Sequence, residues 1–366
     1  MFKEDQLMKN KAALIAMSGG VDSSVAAYQM LQAGYDCVGV MMRLYHNEDI
    51  GLPVTGACCS ERDIADAERV AARLGIPFRS VNFKAAFRRE VIERFITIYA
   101  EGGTPNPCID CNRYLKFDAL LRYAAEQGCG TLATGHYART EQDASGRRLL
   151  KKATDLTKDQ SYVLYMLTQE QLAHVRFPLG TLSKAEVRAT AEALGFPNAR
   201  KHDSQDICFV PDGDYAAFLE RERGAAFEPG AFLSPDGHIL GTHRGAVRYT
   251  IGQRRGLGLP SGKRLYVLEK DMARNTVTVG AEAALYRTEV MVSDLNWIAF
   301  DALNAPLRCK AKLRYRMTEQ PCTVFPASEG TVTVLFDAPQ RAPTPGQAAV
   351  FYDGDVVLGG GTIEHS

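Results

Sequence analysis

Apolar positions along the chain follow two different periods. Ala12–Ala16 is an unbroken apolar run of strand length, and residues 25–31 read as a helix with an apolar face. Between them lies Met17-Ser18-Gly19-Gly20-Val21-Asp22-Ser23-Ser24. Residues 35–42 form a second apolar strand. Ser60-Glu61-Arg62-Asp63 then opens a helix to about Leu74 with an S-x-x-D cap. Gly75-Ile76-Pro77 ends that helix. A short strand over 78–83, a helix over 87–99, a loop over 102–111 and a helix over 114–126 follow. Residues 130–133 read as a strand running into Thr134-Gly135-His136-Tyr137. Such alternation predicts a parallel sheet with helices on both faces. Ligands then gather at the strands' carboxyl ends, where Ser18, Met42 and Gly135 all fall.

Farther on, Ser183-Lys184-Ala185-Glu186 is a capping box opening a helix that Gly195 closes. The pattern changes near Pro211-Asp212-Gly213. A last helix over 215–223 leads into Gly- and Pro-rich sequence with short alternating runs at 264–268 and 276–279. From Leu285 the runs lengthen, at 308–316, 331–336 and 348–352. The expected architecture is an α/β domain over 1–212, a small β-rich middle domain over 213–283 and a C-terminal β-barrel over 284–366.

Composition narrows the class. A length of 366 residues suits two or three domains, and 46% hydrophobic with 23% charged residues is ordinary globular composition. No apolar run approaches a membrane span, and MFKEDQLMKNK lacks the apolar centre of a signal peptide. Nine cysteines without a signal peptide fit the cytoplasm better than a disulfide framework. Basic and acidic residues balance at 43 each, so a nucleic-acid surface has to concentrate its cations locally.

The chemistry begins at the glycine turn. A strand, a tight turn and a helix start make an anion site, where backbone N–H groups and the helix dipole converge. Gly19 and Gly20 permit close approach, and Ser18, Ser23 and Ser24 add hydroxyl donors. The spacing is neither GxxxxGK nor GxGxxG, and the turn holds no lysine. SGGVDSS resembles the pyrophosphate loop of ATP pyrophosphatases, which cleave ATP between its α and β phosphates while a substrate atom becomes adenylated.

The cysteines come next. Cys108 and Cys111 lie in a stretch pinned by Pro105 and Pro107 just before a helix, where the dipole favours a thiolate and should lower its pKa. Cys37, Cys129, Cys309 and Cys322 read as small buried hydrophobes, while Cys58 and Cys59 remain open. Cys208 lies in the polar segment Asp203-Ser204-Gln205-Asp206-Ile207-Cys208-Phe209.

SGGVDSS, TPNPCIDCNRYLKF, ATGHYAR, KDQSYVLY, the 203–209 segment, TIGQRRGLG and TPGQAAVFY occur in order along the chain. Together they resemble the bacterial tRNA-uridine 2-sulfurtransferases, or tRNA-specific 2-thiouridylases. The resemblance implies an adenine nucleotide alpha hydrolase-like ATP pyrophosphatase domain, a middle domain and a barrel. It also implies adenylation of O2 of a wobble uridine, then replacement of that oxygen by sulfur. ATP and Mg2+ are the implied cofactors, with tRNA and a sulfur-donor protein (a cysteine desulfurase or sulfur relay protein) as partners and no membrane.

Carried over, Ala16, Met17, Ser18, Gly19, Gly20, Val21, Asp22 and Ser23 would hold the ATP phosphates, with Met42 and Gly135 lining the nucleotide pocket. Cys208 resembles the persulfide carrier, and Cys111 the nucleophile that pairs with it as a disulfide. Asn106, Pro107 and Cys108 fall where the family meets the target base, with His136 beside the RNA. Lys158, Asp159, Gln160, Arg314, Tyr315 and Gln347 fall on tRNA-contacting positions. Some members carry Asp where this chain has Cys108, which leaves the general base open. An iron–sulfur cluster on Cys108, Cys111 and Cys208 is the alternative sulfur route.

Arg308, Lys310, Lys312, Arg314 and Arg316 alternate with uncharged residues, and at strand period they project from one face as a phosphate-tracking surface. Arg254-Arg255 and Lys151-Lys152 are smaller patches, and Arg147-Arg148 reads as a charged loop. An ammonia-using adenylating ligase would give Cys111 and Cys208 no role. A tRNA-binding or iron–sulfur scaffold would release no pyrophosphate.

Overall fold

The computed structural model describes residues 11–45, 61–202, 207–260, 262, 264–328 and 330–365. The Ser60 cap, Cys58, Cys59 and residues 203–206 lie outside them. Strands β1 (Ala12–Ala16), β2 (Asp36–Arg43), β3 (Phe78–Asn82) and β4 (Thr131–Thr134) are parallel and, with the short Val175–Arg176, form a sheet in the order β3-β2-β1-β4 then 175–176. The chain leaves β1 toward β2 and β3, then returns to β1's other side as β4. That reversal opens a crevice at the carboxyl end of β1.

Alternate residues of these strands face two cores. Ala13, Ile15, Met41 and Ala133 pack with helices α1 (Val21–Gln32) and α2 (Glu61–Leu74). Leu14, Val40 and Leu132 pack on the other face. Helices α3 (84–100) and α4 (107–126) each contain a π-helical stretch, Arg88–Ile92 and Cys111–Ala119. A π segment carries an extra residue in the turn and often marks a functional site. Here Phe87, Val91 and Phe95 of α3 share one apolar cluster with Leu115 of α4. Helix α4 begins at Pro107, earlier than the sequence suggests, because proline at N1 needs no N–H partner and presets φ. Both of its cysteines are therefore helical and not in a loop.

Gly230–Leu233, Ile239–His243, Tyr266–Asp271 and Thr276–Gly280 make the four-stranded middle sheet. Six antiparallel strands then close a barrel, β5 (Tyr286–Trp297), β6 (Leu307–Lys312), β7 (Gln320–Pro326), β8 (Val332–Arg341), β9 (Ala348–Asp353) and β10 (Val356–Ile363). A hairpin of Ala138–Gln142 and Arg148–Lys152, from the α/β part, adds to the barrel sheet by pairing Leu150 with Val357. Arg148 is thus in a strand, and Arg147 binds Asp301 and the Ile298 carbonyl, so neither belongs to a loose charged loop.

The expected strand over 308–316 is also corrected. β6 stops at Lys312 and the chain turns over 313–317, so Arg314 and Arg316 leave the cation face. Arg308 pairs with Asp337, and Lys312 lies 3.9 Å from Glu319. The neutralising acids come from elsewhere in the barrel, where a single-strand pattern cannot see them.

One core runs from the sheet into the barrel. Leu14 and Leu132 share a cluster with Phe117 of α4, Tyr162 and Leu164 of the 161–164 turn, and Ala348, Val350 and Val357. Tyr162 is fully buried and its hydroxyl donates to the Ala348 carbonyl at 2.8 Å. Tyr162→Phe keeps the packing but strands that carbonyl. Urea unfolding is expected to show about 1–2 kcal/mol lost stability, and an unchanged midpoint would contradict this account of the seam.

Candidate active site

The carboxyl ends of β1, β2 and β4 open into a cleft of about 2420 Å³. On its floor, Gly20 caps α1 without any side-chain partner, so the first-turn amides have no side-chain cap. Gly19 adopts φ +71°, and a Cβ there would meet the Asp63 carbonyl at 2.5 Å. The Ser18 amide donates to Ser23 Oγ at 3.1 Å, which in turn donates to the Gly20 carbonyl. Ser24 departs from its expected role as a ligand donor. It is fully buried, donates to the Gly20 carbonyl at 3.0 Å and accepts from Asn198.

Several side chains tighten this loop that the sequence did not mark. Asn198 donates to the Gly19 carbonyl at 3.0 Å, and Lys201 donates to the same oxygen at 3.1 Å. Lys201 also pairs with Asp63 and lies 3.3 Å from Asp66. Burial pulls the Lys201 pKa down, but hydrogen bonds and charge from the two carboxylates outweigh it and hold the amine cationic. Asp22 accepts from Lys184 at 2.7 Å and from the Tyr137 hydroxyl at 2.8 Å. Asn198, Lys201 and Asp66 lie in none of the motifs read from the sequence, and Lys184 and Asp63 were read there only as parts of helix caps.

Every expected site residue lines this cleft except Gly19, Ser24 and Gln347. Gly19 turns against Asp63. Gln347 donates to the Thr104 carbonyl at 2.8 Å, bracing the approach to Asn106-Pro107-Cys108 from outside. Asp159 is committed to its own turn, accepting from the Ala153 and Ser161 amides, and Gln160 pairs with the Tyr137 backbone. Lys158 shares the cleft wall with Asp159 and Gln160. His136 is buried beside Phe117 and Phe177, bonded to Thr134. Burial, then the charge of Lys116, push its pKa well below the usual imidazole value, so the ring is neutral. The opposite wall is the barrel turn carrying Arg314 and Tyr315, with Arg314 anchored to the Ala342 carbonyl and Thr344.

The cysteines differ from expectation. Cys108 is exposed, while Cys111 and Cys208 are half-buried against the cluster of Phe87, Phe95 and Phe209. The Tyr45 hydroxyl holds the Cys208 carbonyl at 2.7 Å. Cys111 lies a turn inside α4, so the N-terminal dipole does not rule it. Burial pushes its thiol up to about 11, with Lys116 pulling weakly the other way. Among the described residues, no group of three or more His, Cys, Asp or Glu converges as metal ligands. Cys108, Cys111 and Cys208 line one cleft without converging as a ligand set among the described residues.

A glycine turn at a helix start, in a parallel-sheet cleft that also holds thiols, is the build of a nucleotide-activating α/β enzyme. Residues 11–212 match the family described as tRNA methyl transferase HUP domain, residues 216–281 its PRC-barrel domain, and residues 287–363 an aminomethyltransferase beta-barrel domain. The chain is 51% identical to the tRNA-specific 2-thiouridylase MnmA of Symbiobacterium thermophilum, covering 97% of this chain and 93% of that one. Identity is 47% to the MnmA of Clostridioides difficile and 48% to that of Acetivibrio thermocellus, each covering 98% of this chain and 100% of the relative. The chain belongs to the tRNA-specific 2-thiouridylase family.

Alkylation checks the thiol environments. At pH 7.5 iodoacetamide should modify Cys108 well before Cys111. Reaction at Cys111 should rise about tenfold per pH unit up to about pH 10, because the thiolate is the nucleophile. Equal rates at pH 7.5, read by peptide mass analysis, would overturn the burial argument.

Proposed function

We propose that this enzyme converts the wobble uridine of tRNA to 2-thiouridine at the expense of ATP, working in the cytoplasm. The observation that carries the reading is the placement of the phosphate loop, Cys111 and Cys208 around one cleft whose far wall is a basic turn of the barrel. MgATP enters as substrate, with its phosphates on Ser18–Ser23 and its nucleoside toward Met42 and Gly135. O2 of the uridine attacks the α-phosphate and pyrophosphate leaves. A neutral His136 can donate or accept a hydrogen bond beside the base without adding charge.

Sulfur reaches Cys208 from a donor protein as a persulfide. Its outer sulfur attacks C2, and AMP departs with the former O2. Cys111 then attacks Sγ of Cys208, breaking the S–S bond. The thiocarbonyl keeps the transferred sulfur and its electron pair, and the resulting Cys111–Cys208 disulfide is reduced by a cellular thiol. Lys116, the cation acting on Cys111, is suited to help its proton leave.

Two sets of variants test this. Asp22→Ala and, separately, Ser23→Ala should lose tRNA-dependent pyrophosphate release while staying folded. Undiminished release in both would remove the loop from the mechanism. Cys208→Ser and Cys111→Ser should abolish 2-thiouridine yet keep adenylation. Cys108→Ser should retain substantial thiolation with a persulfide donor under air-free conditions, losing about a hundredfold only if Cys108 is the general base. Wild-type 2-thiouridine yields from Cys208→Ser would sink the assignment.

A further inference from the structure

Outside the cleft, three arginines of the middle domain stand apart from the molecule's balanced charge. Arg248 and Arg341, close by in the fold, are each taken by an acid, Glu220 and Glu282. Arg254, Arg255 and Arg264 form no ion pair with any described residue, and all three are exposed. Arg254 and Arg264 flank a shallow hollow of about 480 Å³ floored by Gly256, Leu257, Gly258 and Leu259. Gly256 and Gly258 adopt φ +76° and +68°, and a Cβ at Gly258 would meet nothing. Those glycines therefore answer to backbone conformation, and they leave the peptide groups bare.

The root of this loop is fixed. Gln253 accepts from the Thr250 amide at 3.0 Å, donates to the Arg255 carbonyl at 3.0 Å, and its own carbonyl takes the Val267 amide at 2.9 Å. The root also touches the cleft wall. Gly252 packs on Ala342, with its carbonyl 3.3 Å from Arg341. The Ala342 carbonyl in turn accepts from Arg314, which lines the cleft. The arginine loop is thus rooted against Ala342, the buried residue whose carbonyl holds Arg314 at the cleft, with the paired Arg341 beside it.

We propose that Arg254, Arg255 and Arg264 form a second phosphate-binding surface, which holds the tRNA backbone outside the stem-loop that carries the target uridine. The inference rests on the tRNA reading above and extends it. A guanidinium fork matches a phosphate with two parallel hydrogen bonds, and the hydrogen bonds of Gln253 hold the backbone beside Arg254 and Arg255 in place. ATP alone is too small to span the cleft and this loop. A folded RNA with several arms reaches both, and the loop's root beside the cleft wall favours it over a separate acidic protein.

The test compares full-length tRNA with its isolated anticodon stem-loop, measuring Kd from low to moderate salt for wild type, Arg254→Ala, Arg255→Ala and Arg264→Ala. Each variant should bind full-length tRNA about three- to tenfold more weakly, with the slope of log K against log salt reduced by about one. Stem-loop binding and the melting temperature should stay at wild-type values, and Arg254→Lys should restore most of the slope. An unchanged slope in all three alanine variants would overturn the proposal, as would an equal loss with the stem-loop. Unchanged tRNA affinity with slower sulfur delivery from a donor protein would overturn it too, assigning the patch to that protein. Wild-type protein that binds no tRNA at all would instead defeat the thiolation reading.

Discussion

The cleft depends on bare backbone meeting bare backbone at the end of β1. A side chain at Gly19 would run into the Asp63 carbonyl, and one at Gly135 would stand 2.7 Å from the Ser23 amide. Any residue larger than glycine at either place forces α2 or the turn after β4 away from the phosphate loop. Hydrogen bonds from Asn198 and Lys201 fix the Gly19 carbonyl on one side. In a planar trans peptide, the following Gly20 N–H must point to the other. The loop's orientation is therefore set by a segment nearly two hundred residues away, and Cys208 follows Lys201 by seven positions in the sequence.

Local geometry around the thiols follows from packing more than from helix electrostatics. The π-helical turns of α3 and α4 bring two helices into one aromatic cluster, and Cys111 is drawn to its edge. Asn112 donates to the Val163 carbonyl at 2.9 Å, and Arg113 reaches Asp294 of the barrel strand β5. Helix α4 is thereby held from the sheet side and the barrel side at once. Burial at such a junction outweighs the dipole, which acts over the first turn only.

Barrel and sheet are coupled by shared structure. The 138–152 hairpin extends the barrel's sheet, and the cluster around Tyr162 fills the space between. Polar ties follow the same seam, from Arg139 to Asp355 at 2.7 Å, from Lys152 to Glu319 at 2.6 Å and from Asn296 to the Tyr165 carbonyl at 2.7 Å. A seam that is apolar inside and tied by charged pairs outside positions the 314–319 turn rigidly against the cleft.

Periodicity alone made the parallel sheet, its order of strands and helices, and the β-rich second half legible, because alternation and glycine turns are local signals. The glycine turn that opens α1 was legible for the same reason, since it is built from consecutive residues. Lys184, Asn198 and Lys201 were not, because each acts on a loop more than 150 residues away. The cation stripe on β6 looked continuous because a strand's own residues say nothing of where it bends or of acids facing it. The raised Cys111 pKa likewise lay outside a local argument. Proline and helix start were visible in the chain, whereas desolvation by Phe87, Phe95 and Phe209 arises only when distant segments pack together.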